Sequence, residues 1–230
     1  MICKILLSAI LLLPAIAAAM GLLLAVKTGA WRDIGAWYAR STAVFLASIP
    51  MTLLGLPVVA IALPFRISDP NSVVPFTQYP GSWMFVRLPA WAQPWDNPVD
   101  GLLGDRRGWW NDYCVTNYGK ACDAFYSMWQ WAAIRNSANY WSRITVGLDA
   151  SRCTAQLLAF GKRWQFLCAT RDDGRKFYLL EGLVPYPNST HALEFRFGQK
   201  IALDDNRDPA QPLADRMLGC VYRFRPWKAI

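Results

Sequence analysis

The sequence predicts a membrane-anchored α+β protein. Its parts are an N-terminal two-helix transmembrane hairpin, an aromatic-rich helical or irregular middle, and a small C-terminal antiparallel sheet. Three observations predict this fold class. Two long uncharged runs fill most of the first 65 residues, and eight of the twelve tryptophans follow between Trp83 and Trp141. From about residue 151 onward, apolar and polar residues alternate with the period of two that is typical of half-buried strands.

The two uncharged runs, at about residues 5–26 and 41–65, are the predicted spans of a first segment, residues 1–66. A helix over residues 5–26 is about 33 Å long, enough for a hydrocarbon core of about 30 Å. Two alternatives stay open. Residues 5–19 also fit a cleaved signal peptide, and the two runs also fit buried helices of a soluble domain. The first run continues past the cleavage position with only Ser8 as a polar interruption, which favours the hairpin.

Prolines interrupt the second predicted span, so we expect a kinked helix there, with a re-entrant segment as the alternative. The hydroxyls of Ser48 and Thr52 are placed to bond carbonyl groups that the prolines leave free.

Basic residues near the spans give an expectation for orientation. The predicted polar loop holds Lys27, Arg32 and Arg40, whereas the opposite side holds Lys4 and Arg66. Since basic loops tend to stay in the cytoplasm, the loop is predicted inside and the C-terminal domain on the periplasmic side.

Three further segments are predicted after the hairpin. Residues 67–94 form a Pro/aromatic-rich extended connector, because their regular prolines prevent a long helix and their rings suit the headgroup zone. Residues 95–145 form a Trp-rich helical segment with a helix over 121–134. Residues 146–230 form a mainly antiparallel sheet with one short helix. The net charge of +8 comes from scattered basic residues without a nucleic-acid-binding module, which favours anionic lipid as the partner.

The middle segment contains the candidate interaction residues. The acidic group at residues 96–105 brings several oxygens together, but it lacks the spacing of a calcium loop, and turn capping also explains it. Arg135, Asn136 and Asn139 suit a phosphate or lipid headgroup, or alternatively cap the end of the preceding helix. The candidate interaction or interfacial residues are Trp95, Asp96, Asn97, Asp100, Trp109, Trp110, Arg135, Asn136, Asn139 and Trp141.

Three short motifs in the same segment carry a family resemblance. The motifs are WDNPVDG at residues 95–101, GDRRGWW at 104–110 and IRNSANYW at 134–141. Together they resemble a family of small bacteriophage-encoded membrane proteins of unknown function, best over residues 85–145. The resemblance implies a phage or prophage origin and a bacterial host membrane. Because that family has no established activity, it carries over no catalytic residue.

Beyond residue 150 the sequence predicts antiparallel strands. Residues 163–170 and 176–183 flank a loop with Asp173-Gly174 at its centre, the composition of a hairpin turn. Residues 193–197 alternate as a further strand, and so does the tail around Tyr222 and Phe224. A helix is expected to begin at 208–209 and to end before Gly219.

The sequence contains no pattern that is typical of a catalytic site or of a metal site. The six cysteines form no C-x-x-C pair, and the single histidine, His191, lies in a polar stretch, so neither a zinc site nor a triad is predicted. Cys114 and Cys122 either form one disulfide outside the cytoplasm or are buried free thiols. We therefore predict no catalytic residue, no cofactor and no metal.

The leading functional hypothesis is a non-enzymatic, phage-encoded protein of the bacterial host inner membrane. It would act through lipid or protein contacts in host modification, superinfection exclusion or lysis support. One alternative is a virion-internal or ejected protein that inserts into the host envelope. A second is a membrane-tethered enzyme of unknown reaction. The expected partners are the lipid bilayer and, in some of these roles, another membrane or virion protein.

Overall fold

The computed structural model describes residues 2–69, 85–96, 102, 109–159, 161–203, 208–210 and 213–230. Two long apolar helices, a helical middle and a C-terminal antiparallel sheet confirm the predicted α+β class. The helices are α1 Ile2–Thr28, α2 Trp31–Ala62, α3 Trp109–Tyr118, α4 Phe125–Trp129, α5 Ser137–Val146 and α6 Leu213–Arg216. The strands are β1 Ile67–Asp69, β2 Phe85–Arg87, β3 Leu148–Asp149, β4 Cys153–Ala159, β5 Trp164–Arg171, β6 Lys176–Pro185, β7 His191–Gln199, β8 Met217–Leu218 and β9 Cys220–Ala229.

The chain packs as two compact units. One unit comprises residues 1–46 and 146–230, and the other comprises residues 47–145, so that the boundary falls inside α2. These two units do not test the four segments that the sequence predicts, so the four-segment division stays a prediction.

The second helix begins earlier than expected. The polar loop predicted between the spans is wrong, because α2 already starts at Trp31 and only residues 29–30 separate it from α1. The charged residues placed in that loop are helical, and two of them contact the sheet. Asp33 pairs with Lys176 at 3.4 Å, and the Arg40 guanidinium lies 4.5 Å from the centre of the Phe177 ring. These contacts, together with the burial of Ile34 and Trp37 in the core between them, stabilise the helical form of this stretch.

The first unit is built on a five-stranded antiparallel sheet in the order β4-β5-β6-β7-β9. Consecutive strands are neighbours except where β9 joins β7. The predicted hairpin loop at residues 171–175 is confirmed, with Gly174 at φ +81° in the turn between β5 and β6. The expected helix near residues 208–218 is a single turn, α6, because β8 takes the last two residues of that stretch to pair with β3.

Each face of this sheet carries its own core. Phe166, Tyr178 and Phe197 belong to a cluster that also contains residues of α1 and of the first half of α2, with Trp37 fully buried among them. Because successive side chains of a strand point to opposite faces, Leu167 and Leu179 lie on the other side. There they pack with Leu148, Ala150, Ile201 and Leu218. α1 and the first half of α2 therefore cover one face of the sheet as a layer.

The second unit has a separate core around the latter half of α2. Val59, Ala62 and Leu63 pack with Trp110, Met128 and Trp131 and with their neighbours. Two indoles bond to the carbonyl groups of the helix: Trp95 Nε1 donates to Met51 O and Trp129 Nε1 donates to Leu56 O, both at 2.8 Å.

Two further expectations concern the helices of this second unit. Thr52 Oγ1 donates to Ser48 O at 2.8 Å. This carbonyl group is not one of those that Pro50 and Pro57 leave free, which lie four residues before each proline. The predicted role of the two hydroxyls therefore stays a prediction. The helix expected over residues 121–134 begins only at Phe125 and continues from Gln130 to Arg135 as a π-helical turn.

Candidate functional site

Only part of the predicted interaction site lies within the described residues. Asn97 and Asp100 fall outside them, and for Trp109 and Asn139 only the main chain is described. Of the remaining residues, Trp110 and Arg135 form a cluster, and the others make contacts that stabilise the fold.

Trp110 and Arg135 come together. The guanidinium of Arg135 lies 5.1 Å from the ring centre of Trp110, 5.4 Å from that of Trp131 and 5.7 Å from that of Tyr113. Trp110 is fully buried and stacks on Tyr113 at 5.3 Å. A cation held over ring faces is attracted by their negative charge, so these four side chains form one cation–π cluster.

Trp95 and Asp96 serve the fold. Asp96 is fully buried, and its carboxylate accepts the main-chain N–H of Leu88 at 2.8 Å, closing the segment that precedes it. Trp95 bonds to α2 as described above, and its indole fills the space beside Gly55. Among the described residues, no group of three or more acidic, histidine or cysteine side chains is arranged to hold a metal ion.

Asn136 and Trp141 are also buried. The main-chain N–H of Asn136 donates to Trp131 O at 2.9 Å, which closes the π-helical turn where the Arg135–Asn136 pair was expected to act as a cap. Trp141 O accepts the hydroxyl of Thr145 at 2.8 Å.

Five cysteines, Cys114, Cys122, Cys153, Cys168 and Cys220, are buried or half-buried free thiols. Burial raises the pKa of Cys122 to about 12 and that of Cys153 to about 11. Burial likewise raises the pKa of Cys114, Cys168 and Cys220. A nucleophilic cysteine needs the opposite shift, so none of these five thiols is activated.

A second feature is the outward surface of the two long helices. The exposed side of α1 between residues 11 and 26, which we call the outer face of α1, comprises Leu11, Leu12, Ala15, Ala18, Ala19, Leu22, Leu23 and Val26. The exposed residues Lys27 and Thr28 end the helix. The outer face of α2 starts with Trp31 and Arg32 and continues with Gly35, Ala36, Ala39, Ala43, Leu46, Pro50, Leu53, Leu54, Pro57 and Ile61. Beyond Arg32, both faces carry only apolar residues, although the opposite sides of the same helices already fill the cores.

A third feature is a charged cleft at one end of the sheet, on the face opposite the helices. Its volume is about 450 Å³, and the turn at residues 161–163 forms one wall. Gln165, Glu181 and Arg196 stand side by side on its floor, one on each of β5, β6 and β7. Glu194 and Lys228 also line it, as do Trp164, Gly182 and Leu183.

The sequence did not single out this cleft, although a signal was available. Glu181 and Glu194 are the only glutamates of the chain, and both lie in predicted strands, Glu194 two residues before Arg196. The two glutamates come close to the basic residues only because β6, β7 and β9 are neighbours in the sheet. A single sequence does not reveal that pairing.

The fold and these features define a class of protein: an α+β protein with two long apolar helices, which by length and composition could cross a membrane, and an antiparallel sheet on which α1 and the first half of α2 pack. The chain belongs to the family of unknown function DUF7338, whose model matches residues 34–229. No match was found among curated proteins or among solved structures. The match begins near the start of α2 and covers the middle segment and the whole sheet.

Proposed function

We propose that this chain is a non-enzymatic, membrane-attached protein that acts through contacts with lipid or with another membrane protein. The observation that carries the proposal is the apolar character of the outer faces of α1 and α2. A helix at the surface of a soluble domain places polar residues toward water. Here the water-facing side of each helix would be an apolar stripe, and large exposed apolar surfaces mark contact with a membrane or with a partner.

Burial along the helices supports this proposal over a soluble core pair. In the most apolar 18-residue stretch of each helix, only 28 % of the residues of α1 and 22 % of those of α2 are buried, whereas the helices of a soluble core are mostly buried. Lys27, Trp31 and Arg32 gather where the two helices meet, and Trp31 is 55 % exposed. Indole rings and basic side chains are the groups that favour the headgroup zone.

The same packing supports retention of α1 over cleavage as a signal peptide. Leu13 and Ala17 belong to the core under the sheet, and so do Leu24 and Ala25 further along the helix. Cleavage near residue 19 would remove Leu13 and Ala17 from that core. Leu24 and Ala25 would remain, but only on a short remnant of α1.

The contact between helix and sheet favours attachment along the membrane rather than a crossing of it. α1 contacts β7 and β9, and the opposite face of that sheet carries Glu181, Glu194 and Arg196. If α1 crossed the bilayer in this arrangement, it would draw these charges into hydrocarbon, where charged groups are costly. A helix lying in the interface with its outer face toward the acyl chains avoids that cost.

Phage origin and a place in the bacterial host inner membrane complete the proposal. They rest on the motifs at residues 95–101, 104–110 and 134–141 and on their resemblance to phage-encoded membrane proteins. For helices that lie along the interface, the comparison of basic loops does not select a side. The periplasmic position of the C-terminal domain thus stays a prediction from the sequence.

Fractionation of the full chain from a bacterial host tests the attachment. We expect the protein in the membrane pellet after a high-salt wash, and recovery in the supernatant without detergent would overturn the proposal. In the matched comparison, Leu22→Glu with Leu23→Glu changes the outer face of α1. Leu157→Glu with Leu203→Glu changes exposed leucines elsewhere in the same unit. Only the first pair is expected to release protein, because each buried leucine contributes about 2 kcal/mol.

Labelling of a Thr28→Cys variant with a membrane-impermeant maleimide tests the manner of attachment. Thr28 is exposed at the end of α1. Attachment along the interface places this cysteine on the same side of the membrane as a C-terminal tag, whereas a crossing hairpin places it on the opposite side. The two experiments separate failure of the membrane proposal from failure of the orientation.

A further inference from the structure

The charged cleft holds a row of polar side chains across four strands. Gln165 of β5 stands opposite Glu181 of β6, Glu181 opposite Arg196 of β7, and Arg196 opposite Arg223 of β9. On the same face further along the sheet, the equivalent positions are apolar and covered by a core. The sheet is therefore polar only where it is open.

Both carboxylates of the cleft are already engaged. Glu181 accepts Arg196 Nε at 2.9 Å and Gln165 Nε2 at 3.0 Å, and Arg196 Nη2 lies 2.7 Å from the same carboxylate. The carboxylate of Glu194 contacts Arg223 at 3.1 Å and also pairs with two further cations. Arg225 lies 3.4 Å from it and Lys228 lies 3.9 Å from it. Neither carboxylate is left to balance further charge.

Positive charge exceeds negative charge around the cleft. Six basic side chains line or adjoin it, against the two glutamates: Lys162, Arg163, Arg196, Arg223, Arg225 and Lys228. Arg196 and Arg223 stand directly opposite each other, an arrangement of like charges that destabilises a sheet. In the described part of the chain, Lys162 and Arg163 have no ion pair, and they lie on the wall of the cleft. A concave site lined by one sign of charge concentrates counter-ions.

We propose that this cleft binds a small phosphate-bearing anion. Arginine and lysine together supply the charge-assisted donors that phosphate oxygens accept. A volume of about 450 Å³ matches a small ligand and not a polymer. The helices cover the opposite face of this sheet, so the cleft opens away from the proposed membrane contact. A phosphate ester in solution therefore fits this placement better than a lipid headgroup.

Calorimetric titration of the full chain in zwitterionic nanodiscs tests the proposal, with inorganic phosphate as the soluble probe and phosphatidic acid in the disc as the lipid probe. We expect saturable binding of inorganic phosphate that weakens with added salt. Binding only in discs with phosphatidic acid would keep the phosphate chemistry and assign the lipid as its source. Absence of saturable binding with both probes would overturn the proposal.

Two variants decide whether this cleft is the site. Lys162→Ala with Arg163→Ala should weaken phosphate binding at least about tenfold, since each lost charge-assisted bond is worth a comparable factor. Arg152→Ala with Arg175→Ala removes the same charge from exposed positions of the same unit and should leave affinity within about twofold. Equal losses in the two variants would show that only net charge matters and would overturn the site.

A variant with increased binding tests whether the Glu181–Arg196 pair has only a structural role. Glu181→Gln releases the guanidinium of Arg196 and removes a negative charge from the floor, so phosphate affinity should rise several-fold. Damage to folding cannot produce such a gain. Unchanged or reduced affinity in Glu181→Gln would count against an anion in the cleft.

Discussion

The indole nitrogen of Trp37 lies 2.6 Å from the point where a Cβ at residue 198 would stand, and that residue is Gly198. The glycine has φ +122°, and a Cβ there would also come within 2.4 Å of Tyr178 O. The absence of a side chain in β7 thus creates the space in which α2 docks on the sheet. A helix pair with the composition of membrane spans is joined to the sheet at this point.

Gly198→Ala should therefore destabilise the first unit by about 2–4 kcal/mol, from the strained backbone and from the displaced indole. The measurement is chemical denaturation of the full chain in mild detergent. Gly174→Ala is the control, since Gly174 also has positive φ but no atom within 4 Å of its Cβ position. It should cost only the backbone contribution of about 1–2 kcal/mol. Equal costs for the two variants would contradict the close approach of Trp37.

Trp37 itself should dominate the docking of the helices. It is fully buried and meets the rings of Phe166, Tyr178 and Phe197 at centroid distances of 5.4, 6.3 and 5.8 Å. We expect Trp37→Ala to cost about 3–5 kcal/mol in the free energy of unfolding. Trp37→Phe should cost clearly less, because Trp37 Nε1 has no hydrogen-bond partner in the described part of the chain. If the two variants were equally destabilised, a bond to the indole N–H would have to exist.

Much of this architecture could be predicted from the sequence, because it depends on local patterns. The uncharged runs predicted the two helices, the Asp-Gly loop between apolar runs predicted β5 and β6, and the period-two alternation predicted β7 and β9. The position of Trp37 could not be predicted in this way. It lies in the charged stretch for which the sequence predicts a loop. That stretch is helical because Asp33 pairs with Lys176, Arg40 lies over Phe177 and Trp37 packs in the core. The first two of these contacts join residues more than 130 positions apart.

The candidate site divides along the same line. Arg135 and Trp110 meet because α3 and the π-helical turn pack together, and the sequence suggested both residues without suggesting their contact. Asp96 was proposed from its composition, yet its carboxylate is used by the main chain of Leu88. A sequence shows that an oxygen is available but does not show which nearby donor takes it.

The cation–π cluster predicts a specific role for Arg135. Arg135→Ala should destabilise the second unit by about 1–2 kcal/mol, because the guanidinium contacts three rings. Arg135→Lys should recover only part of that loss, since an ammonium lacks the planar group that stacks on rings. Denaturation followed by tryptophan fluorescence measures both. Lys120→Ala is the control, because Lys120 lies over the single ring of Tyr126 at 5.7 Å. A neutral effect of Arg135→Ala would remove the cluster from the stability of this unit.

Glu194 predicts a salt-dependent loss of stability. Glu194→Gln leaves Arg223, Arg225 and Lys228 close together without their shared carboxylate, so the first unit should be destabilised by repulsion. Added salt should restore part of the loss, because it screens charges that are partly exposed. Unfolding is to be compared at low and high ionic strength. Asp172→Asn, which breaks one exposed pair with Arg152, should show little effect in either condition. A salt-independent loss in Glu194→Gln would indicate a packing defect instead.

The buried thiols and phenols predict a loss of stability at alkaline pH. Burial raises the pKa of Cys122 and of Tyr118 to about 12, and that of Cys153 to about 11. In the unfolded chain these thiols lose their protons near pH 9 and the phenol near pH 10. Between those values and the raised ones, the unfolded state binds fewer protons than the folded state. The free energy of unfolding must therefore fall as pH rises, by up to about 1.4 kcal/mol per pH unit for each group.

Denaturation between pH 7 and pH 11 measures this slope. Cys122→Ala and Cys122→Ser both remove one titrating thiol from the core of the second unit. The two variants should differ in stability at pH 7, because serine places a hydroxyl among apolar side chains. Above pH 9 both should nevertheless lose stability less steeply than the natural chain. If the slope stayed the same in both variants, Cys122 would have to titrate as an exposed thiol, which is incompatible with its 4 % exposure.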